Sequence, residues 1–250
     1  MLSNFSLEGK VVLLTGAAGF LGEHFAHKLH LAGATVVLTD IKRIGDGYEM
    51  DVTDQSSVES VLTRVVQQYG RIHVIVNNAA YNPSVDDQAK YQRKFMEYPE
   101  EAMMASVQVN QLGTWRVCKA AIPHMLVAGG GTIVNIVSVY GVTPPRQEIY
   151  SDGMEKSVDY SMTKAAVGML TRHIASQFGR NGIRCNALAP GGVFNHQKDA
   201  GFIERYSAQT SLGRMSDAGE VADALVFLAS DASRGMTGEV LNVDGGFSSR

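Results

Sequence analysis

Tyr160 and Lys164 stand four residues apart in Tyr-Ser-Met-Thr-Lys, at the start of a strongly helical pattern, so they share one helical face. A phenol with an ordinary pKa near 10 is a poor base at neutral pH. A nearby ammonium stabilises the phenolate and brings the group toward the working range. Alone, such a pair is ordinary surface chemistry. Its meaning depends on what the rest of the chain places beside it.

A second cluster lies near the N-terminus, in Thr15-Gly16-Ala17-Ala18-Gly19-Phe20-Leu21-Gly22. A chain that turns sharply here, admits a pyrophosphate to its backbone and starts a helix facing the anion needs glycine at these points. Asp40 ends the next strand pattern, 18 residues after Gly22. A carboxylate there accepts hydrogen bonds from ribose hydroxyls and repels a 2′-phosphate, which predicts NAD over NADP. Lys42 and Arg43 follow closely and partly relieve that repulsion.

The elements that position these residues read as alternating strands and helices. Strand patterns cover Lys10–Thr15, Ala34–Asp40, Ile72–Asn77, Gly131–Ser138, Ile183–Ala189 and Glu239–Val243. Helical patterns cover Gly22–Ala32, Val107–Val127, Asp159–Gly179 and Glu220–Ala229. This alternation predicts an α/β fold, one domain over residues 1–250, with a doubly wound parallel sheet and helices on both faces. Two polar stretches, Tyr81–Glu101 and Pro144–Ser157, are long connections and are expected to shape the substrate side of a crevice.

Composition excludes several functions. The chain has 250 residues, 45% apolar and 19% charged, with 26 glycines and 6 prolines and a net charge of −3. That suits a globular α/β protein and argues against nucleic acid or an anionic membrane as partner. The N-terminus lacks a signal-peptide pattern, and no apolar run approaches a membrane span. A cytoplasmic protein with Cys118 and Cys185 as buried, reduced thiols is expected. His24, His27 and His30 drift around the first helix and do not converge as metal ligands, so no metal is expected. No nucleophile-elbow pattern surrounds Ser138, which disfavours hydrolysis.

Taken together, the motifs resemble those of the short-chain dehydrogenase/reductase family. The resemblance spans nearly the whole chain: the glycine turn, Asp51-Val52, Asn77-Asn78-Ala79-Ala80, Asn110 in Val-Asn-Gln-Leu-Gly, Ser138 in Val-Asn-Ile-Val-Ser, Tyr160 with Lys164, Pro190-Gly191-Gly192, and the tail Asn242-Val243-Asp244-Gly245-Gly246. It implies a Rossmann fold and an NAD(P)-dependent oxidoreductase acting on a small molecule bearing a secondary alcohol or ketone. By position, Tyr160 would be the general acid or base, Lys164 would tune it and hold the nicotinamide ribose, and Ser138 would bind the substrate oxygen. Asn110 would support a water relay to Lys164. Gly16, Ala18, Gly19, Phe20 and Leu21 would form the cofactor turn, and Asp51 and Val52 the adenine pocket. Asn78, Ala79 and Ala80 would pass behind the ribose, and Pro190, Gly191 and Val193 would meet the carboxamide. A homodimer or homotetramer is implied, with the helices at 107–127 and 159–179 in the contacts.

The sequence departs from the family pattern in three ways. Phe20 takes a usual glycine position, so the spacing Gly16–Gly19–Gly22 is that of the longer, extended members. Ser138 and Tyr160 are 22 residues apart, longer than usual, with residues 144–157 as the insert. Tyr150 lies nearer the usual distance but has Met154 where its lysine would stand. The stretch from Asp40 to Asp51 is short, which clips the usual second helix and third strand. The insert, with Val139-Tyr140-Gly141, is similar to a bacterial subgroup of flagellin-modification and surface-sugar pathways, and so to sugar-like substrates. Two other functions remain open: an NAD-retaining sugar epimerase or dehydratase, which the glycine spacing favours, and a non-catalytic NAD-binding regulator, which the set Asn110, Ser138, Tyr160 and Lys164 disfavours.

Overall fold

A computed structural model describes residues 3–82, 94–150, 155–195 and 199–250. Met154, His196 and parts of both polar connections lie outside these residues.

Seven parallel strands build one sheet in the order β3-β2-β1-β4-β5-β6-β7. They are β1 (Val11–Thr15), β2 (Thr35–Asp40), β3 (Tyr48–Glu49), β4 (Val74–Asn77), β5 (Gly131–Ile136), β6 (Ile183–Pro190) and β7 (Val240–Val243). Successive β1 side chains point to opposite faces, as the pleat requires. Val11 and Leu13 enter one core with α2 (Gln55–Tyr69), α4 (Thr114–Val127) and α5 (Val158–Phe178). Val12 and Leu14 enter the other, with α1 (Phe20–Leu31) and α7 (Ala218–Ala229). The sheet is therefore doubly wound, with helices on both faces, and forms a single α/β domain.

The chain leaves β3 through α2 and returns on the other side of β1, as β4. This reversal of winding opens a crevice at the carboxyl ends of β1 and β4, where open α/β sheets bind ligands.

Several boundaries differ from the sequence reading. Helix α2 lies outside the elements read from the sequence, although its signals are present. Asp54 caps it by accepting from the Ser56 amide, and Val58, Val61, Leu62 and Val65 form a buried stripe. Burying each of those side chains is worth roughly 1.5–3 kcal/mol. The helix expected over 107–127 starts earlier, as α3 (Glu100–Ser106), with Pro99 before it and Glu100 and Glu101 in its first turn. It then widens into a π-helical segment, Val107–Gly113, before α4. Gly113 explains part of that path, since a Cβ there would sit 2.8 Å from a Val52 methyl. Strand β5 ends at Ile136 instead of Ser138, because Ser138 already caps the 3₁₀ turn Val139–Gly141. The clipped segment after β2 holds no helix, and β3 has two residues. Helix α6 (Ala200–Ala208), also missing from the sequence reading, follows an Asp199 cap.

Inside the sheet, Asn77 donates to Asn135 at 2.8 Å, and Asn135 donates to Thr171 at 2.8 Å. Both Cys118 and Cys185 are buried, free thiols against this chain of amides. Burial pushes the Cys118 thiol up to about 12, so it is protonated and inert. Among the described residues no helix is long and apolar enough to cross a membrane, and no cluster of three or more His, Cys, Asp or Glu could hold a metal. His24, His27 and His30 are exposed, and His24 meets Phe20 edge to face.

Candidate active site and cofactor cleft

The β1–α1 turn is built by packing as well as by glycine's freedom. Gly16 has φ +63°, and a Cβ there would lie 2.6 Å from the Ala79 Cα. At Gly22 a Cβ would lie 2.3 Å from the Gly16 carbonyl oxygen. Both glycines are therefore demanded by the chain itself. Gly19 is different: a Cβ there would make one tight contact, 3.3 Å from the same oxygen. Gly19 also caps α1 with no side chain, so the first-turn amides face the crevice without a side-chain acceptor. That is the arrangement an anionic diphosphate requires. Gly16→Ala is expected to cost at least ~2 kcal/mol of stability, from the left-handed backbone and the overlap with Ala79. Urea unfolding measures it, and an unchanged midpoint would refute this account of the turn.

The β4 exit is tied to this turn. Thr15 Oγ1 accepts from the Asn78 and Ala79 amides at 3.0 and 2.9 Å. Asn78 Nδ2 donates to the Thr15 and Gly16 carbonyls at 3.0 and 2.8 Å. Across the turn, Asp40 Oδ2 accepts from the Ala18 amide at 2.9 Å and Oδ1 from the Ile41 amide at 2.8 Å. Asp51 holds its own loop through Thr53, at 2.8 Å to the amide and 2.7 Å to the hydroxyl.

A single cleft of about 770 Å³ runs along this edge. Gly16, Ala18, Gly19, Phe20 and Leu21 line it with Asp40, Asp51 and Val52; further along come Asn78, Ala79 and Ala80, then Ser138, Tyr160, Lys164, Pro190, Gly191 and Val193. The structure thus brings together all the predicted site residues but one. The cleft size and the open glycine cradle fit a dinucleotide. Ile41, Met50, Thr53, Tyr81, Asn82 and Val109 line it too and were missed. Ile41, Met50, Thr53, Tyr81 and Asn82 sit in irregular segments, whose side-chain directions no periodicity reveals, and Val109 sits in the π-helical one.

The exception is Asn110, in the π-helical segment and fully buried. Its Oδ1 accepts from the Tyr81 amide at 2.6 Å, and its Nδ2 faces the Tyr81 carbonyl at 3.1 Å, Ser106 at 3.2 Å and Thr163 at 3.2 Å. The Thr114 hydroxyl donates to its carbonyl at 2.8 Å. The Asn110 side chain clamps the β4 exit to α5 from behind the cleft lining.

Three groups converge at the other end. Ser138 is set by its 3₁₀ turn, where its Oγ accepts from the Tyr140 amide at 3.2 Å. Gly141 lets that turn lie flat on α5, since a Cβ would stand 2.8 Å from the Lys164 carbonyl carbon. The 3₁₀ turn Val139–Gly141 therefore sets Ser138 directly onto the helical turn that bears Tyr160 and Lys164. Tyr150, the rival phenol, bonds the Tyr140 hydroxyl at 3.1 Å and packs on Phe202, outside the cleft lining.

The electrostatics differ from the simple pairing expected of Tyr160 and Lys164. Burial raises the Tyr160 phenol above its ordinary value; a hydrogen bond with Ser138 opposes this, and the Asp159 charge adds to it. Lys164 Nζ donates to the Ile136 carbonyl at 2.8 Å and lies 5.8 Å from the Tyr160 ring centroid. Burial holds Lys164 down to about 8, from an ordinary 10.5. Burial thus outweighs the Ser138 hydrogen bond at the phenol and leaves Tyr160 protonated at neutral pH.

Lys164 has a consequence for stability. Below pH 8 both folded and unfolded chains carry its proton, and the buried charge is a constant cost. Between pH 8 and 10.5 the unfolded chain holds more protons, so stability rises with pH across that window. The wild type is expected to gain about 3 kcal/mol there relative to Lys164→Met, at ~1.4 kcal/mol per pKa unit. Denaturant unfolding of both proteins at pH 7.5 and 10.5 measures it, and parallel pH profiles would contradict it.

The model of the enoyl-(acyl carrier protein) reductase family matches residues 16–248. The chain is 33% identical to the 3-oxoacyl-(acyl-carrier-protein) reductase FabG of Thermotoga maritima, over 96% of this chain and 98% of that protein. It is 31% identical to the 7alpha-hydroxysteroid dehydrogenase of Bacteroides fragilis, over 96% and 94%. Among solved structures, a gluconate 5-dehydrogenase from Burkholderia cenocepacia, in complex with NADP and tartrate, superposes with TM-score 0.85 at 29% identity, over 100% of this chain and 99% of that one. The aldohexose dehydrogenase of Thermoplasma acidophilum superposes with TM-score 0.83 at 28% identity, over 98% and 96%. The fold, the cleft and these matches define a nicotinamide-dependent oxidoreductase of hydroxyl and keto groups. The chain belongs to the short-chain dehydrogenase/reductase family.

Proposed function

We propose that the protein transfers a hydride between NAD(H) and a polar secondary alcohol or ketone, with Tyr160 moving the proton. The observation that carries this reading is one continuous cleft with Asp40 at one end and Ser138, Tyr160 and Lys164 at the other. A bound nicotinamide would supply or take the hydride. Gly16, Ala18, Gly19, Phe20 and Leu21 hold the diphosphate on the α1 amides, and Asp40 takes the adenosine ribose. Asp51 and Val52 flank the adenine, and Asn78, Ala79 and Ala80 back the ribose. Pro190, Gly191 and Val193 fix the carboxamide. Lys164 holds the second ribose, Ser138 grips the reacting oxygen, and Tyr160 gives it a proton in reduction or takes one in oxidation.

A sugar-derived substrate fits the polar Asn82, Ser138 and Tyr160 on the cleft wall and the sugar-linked names of two structural neighbours. None of the relatives named above is an epimerase or dehydratase. We place the enzyme in the cytoplasm, where its two buried thiols stay reduced. Assembly into a dimer or tetramer through α4 and α5 is supported by exposed Trp115, Val127, Met162 and Met169 on those helices.

The test is NADH appearance at 340 nm with a panel of sugars, sugar acids, nucleotide sugars, hydroxyacids, hydroxysteroids and hydroxyacyl thioesters. Turnover of a polyhydroxylated alcohol is expected. Turnover confined to steroids or thioesters would overturn the substrate class, and tight NAD without net turnover would overturn the reaction.

A further inference from the structure

Lys156 lies in the long connection between Ser138 and Tyr160, four residues before the phenol, and it precedes the first turn of α5. Its ammonium stands over the Tyr160 ring, 4.0 Å from the centroid. Lys164, at 5.8 Å, is the more distant of the two cations and donates to the Ile136 carbonyl. Three further contacts hold Lys156 in place. Its Nζ donates to Asn82 Oδ1 at 2.8 Å, its amide donates to Gln147 Oε1 at 2.9 Å, and Gln147 Nε2 faces its carbonyl at 3.3 Å. The β4 exit and the 144–157 connection thus position one ammonium on the face of the phenol.

A cation over an aromatic face is attracted to the ring, and the attraction grows when the phenol ionises and the ring gains negative charge. Resting on the reading of Tyr160 as the proton-transfer group, we propose that Lys156 is a positioning residue for that step. Its ammonium favours the phenolate, offsets part of the rise that burial causes, and makes the Tyr160 hydroxyl a readier proton donor.

The other groups around Tyr160 act in both directions. Asp159 on its own helix opposes ionisation, and the Ser138 hydroxyl favours it. Tyr140, Tyr150 and Tyr206 belong to the same aromatic cluster, and the carboxylate of Glu155 beside Lys156 accepts from the Phe95 amide at 3.2 Å. Lys164 is already drawn down by burial, so it carries less than a full charge where the phenol titrates. A second cation on the ring is therefore the more effective. The sequence offered no sign of it, because Lys156 lies outside any helical register with Tyr160.

The test uses the full chain labelled with [ζ-¹³C]tyrosine and saturated with NAD. The Tyr160 resonance is assigned by its loss in Tyr160→Phe, and its pKa is read by NMR titration. Lys156→Met and Lys156→Gln are expected to raise that pKa by about half to one and a half units, and Lys156→Arg to leave it close to wild type. An unchanged pKa in Lys156→Met would overturn the proposal. So would equal shifts in Lys156→Met and Lys156→Arg, which would mark a packing role. Full alcohol turnover by Tyr160→Phe would instead refute the role of Tyr160, and the titration would still report the Lys156 contact.

Discussion

Tyr160→Phe is expected to lower turnover roughly a hundred- to ten-thousand-fold while leaving NADH binding close to wild type. The magnitude is that of losing one positioned general acid or base. The substitution removes a hydroxyl and keeps a ring that packs among Tyr140, Tyr150 and Phe202. The cofactor end of the cleft, from Gly16 to Val52, is untouched by it. The defect should therefore fall on kcat, with the NADH dissociation constant unchanged in a fluorescence titration. Net NADH formation that survives the change would remove Tyr160 from the mechanism. Because burial holds the phenol above its ordinary value, the wild type starts with the proton in place. That is the form needed to protonate a carbonyl oxygen, so the reductive direction should persist to higher pH than would a reaction waiting on a free phenolate. Rates of NADH consumption and of alcohol oxidation, measured across pH 6–10, would separate the two limbs.

The residues that line the cleft were legible where their signal was local. Gly16 and Gly22 are forced by the geometry of a strand turning into a helix, and that need survives in the spacing alone. Tyr160 and Lys164 were legible because a helix fixes the relation of residues four apart. Asp40 could be read because it ends a strand beside the turn. Other features depend on contacts between distant segments. Asn110 lies behind the cleft lining, and its side-chain bonds to Tyr81, Ser106 and Thr163 depend on a π-helical segment. No single-sequence pattern distinguishes a π turn from an α turn. Lys156 is the opposite case: it reaches Tyr160 only because Asn82 and Gln147, 74 and 9 residues away in the chain, meet it in space. Helix α2 is a plainer lesson. Its cap at Asp54 and its stripe Val58, Val61, Leu62 and Val65 satisfy every local rule for an amphipathic helix, so the signal for it is present in the sequence.

Asp40 sets up the second large effect. Its carboxylate is fixed between the Ala18 and Ile41 amides, at 2.9 and 2.8 Å, on the wall where the adenosine ribose would lie. A 2′-phosphate brought against it meets a fixed negative charge, worth about 1–4 kcal/mol at contact distance in a partly solvated site. At ~1.4 kcal/mol per tenfold, NADH should bind about five- to several-hundred-fold more tightly than NADPH. The gluconate 5-dehydrogenase structure holds NADP on a closely similar backbone, so such a backbone does not itself exclude a 2′-phosphate. Choice then rests on side chains at this one wall. Lys42 and Arg43 are exposed just beyond it and would attract the phosphate once the carboxylate is gone. Asp40→Asn should therefore raise NADPH affinity and bring the two dissociation constants within about tenfold. Adding Lys42→Gln to that variant should take back part of the gain. NADH affinity should fall in both, because the amide side chain offers one acceptor where the carboxylate offers two to Ala18 and Ile41. Fluorescence titrations of both cofactors against the three proteins decide it. Equal or tighter NADPH binding by the wild type would show that Lys42 and Arg43 outweigh Asp40, and the cofactor assignment would reverse.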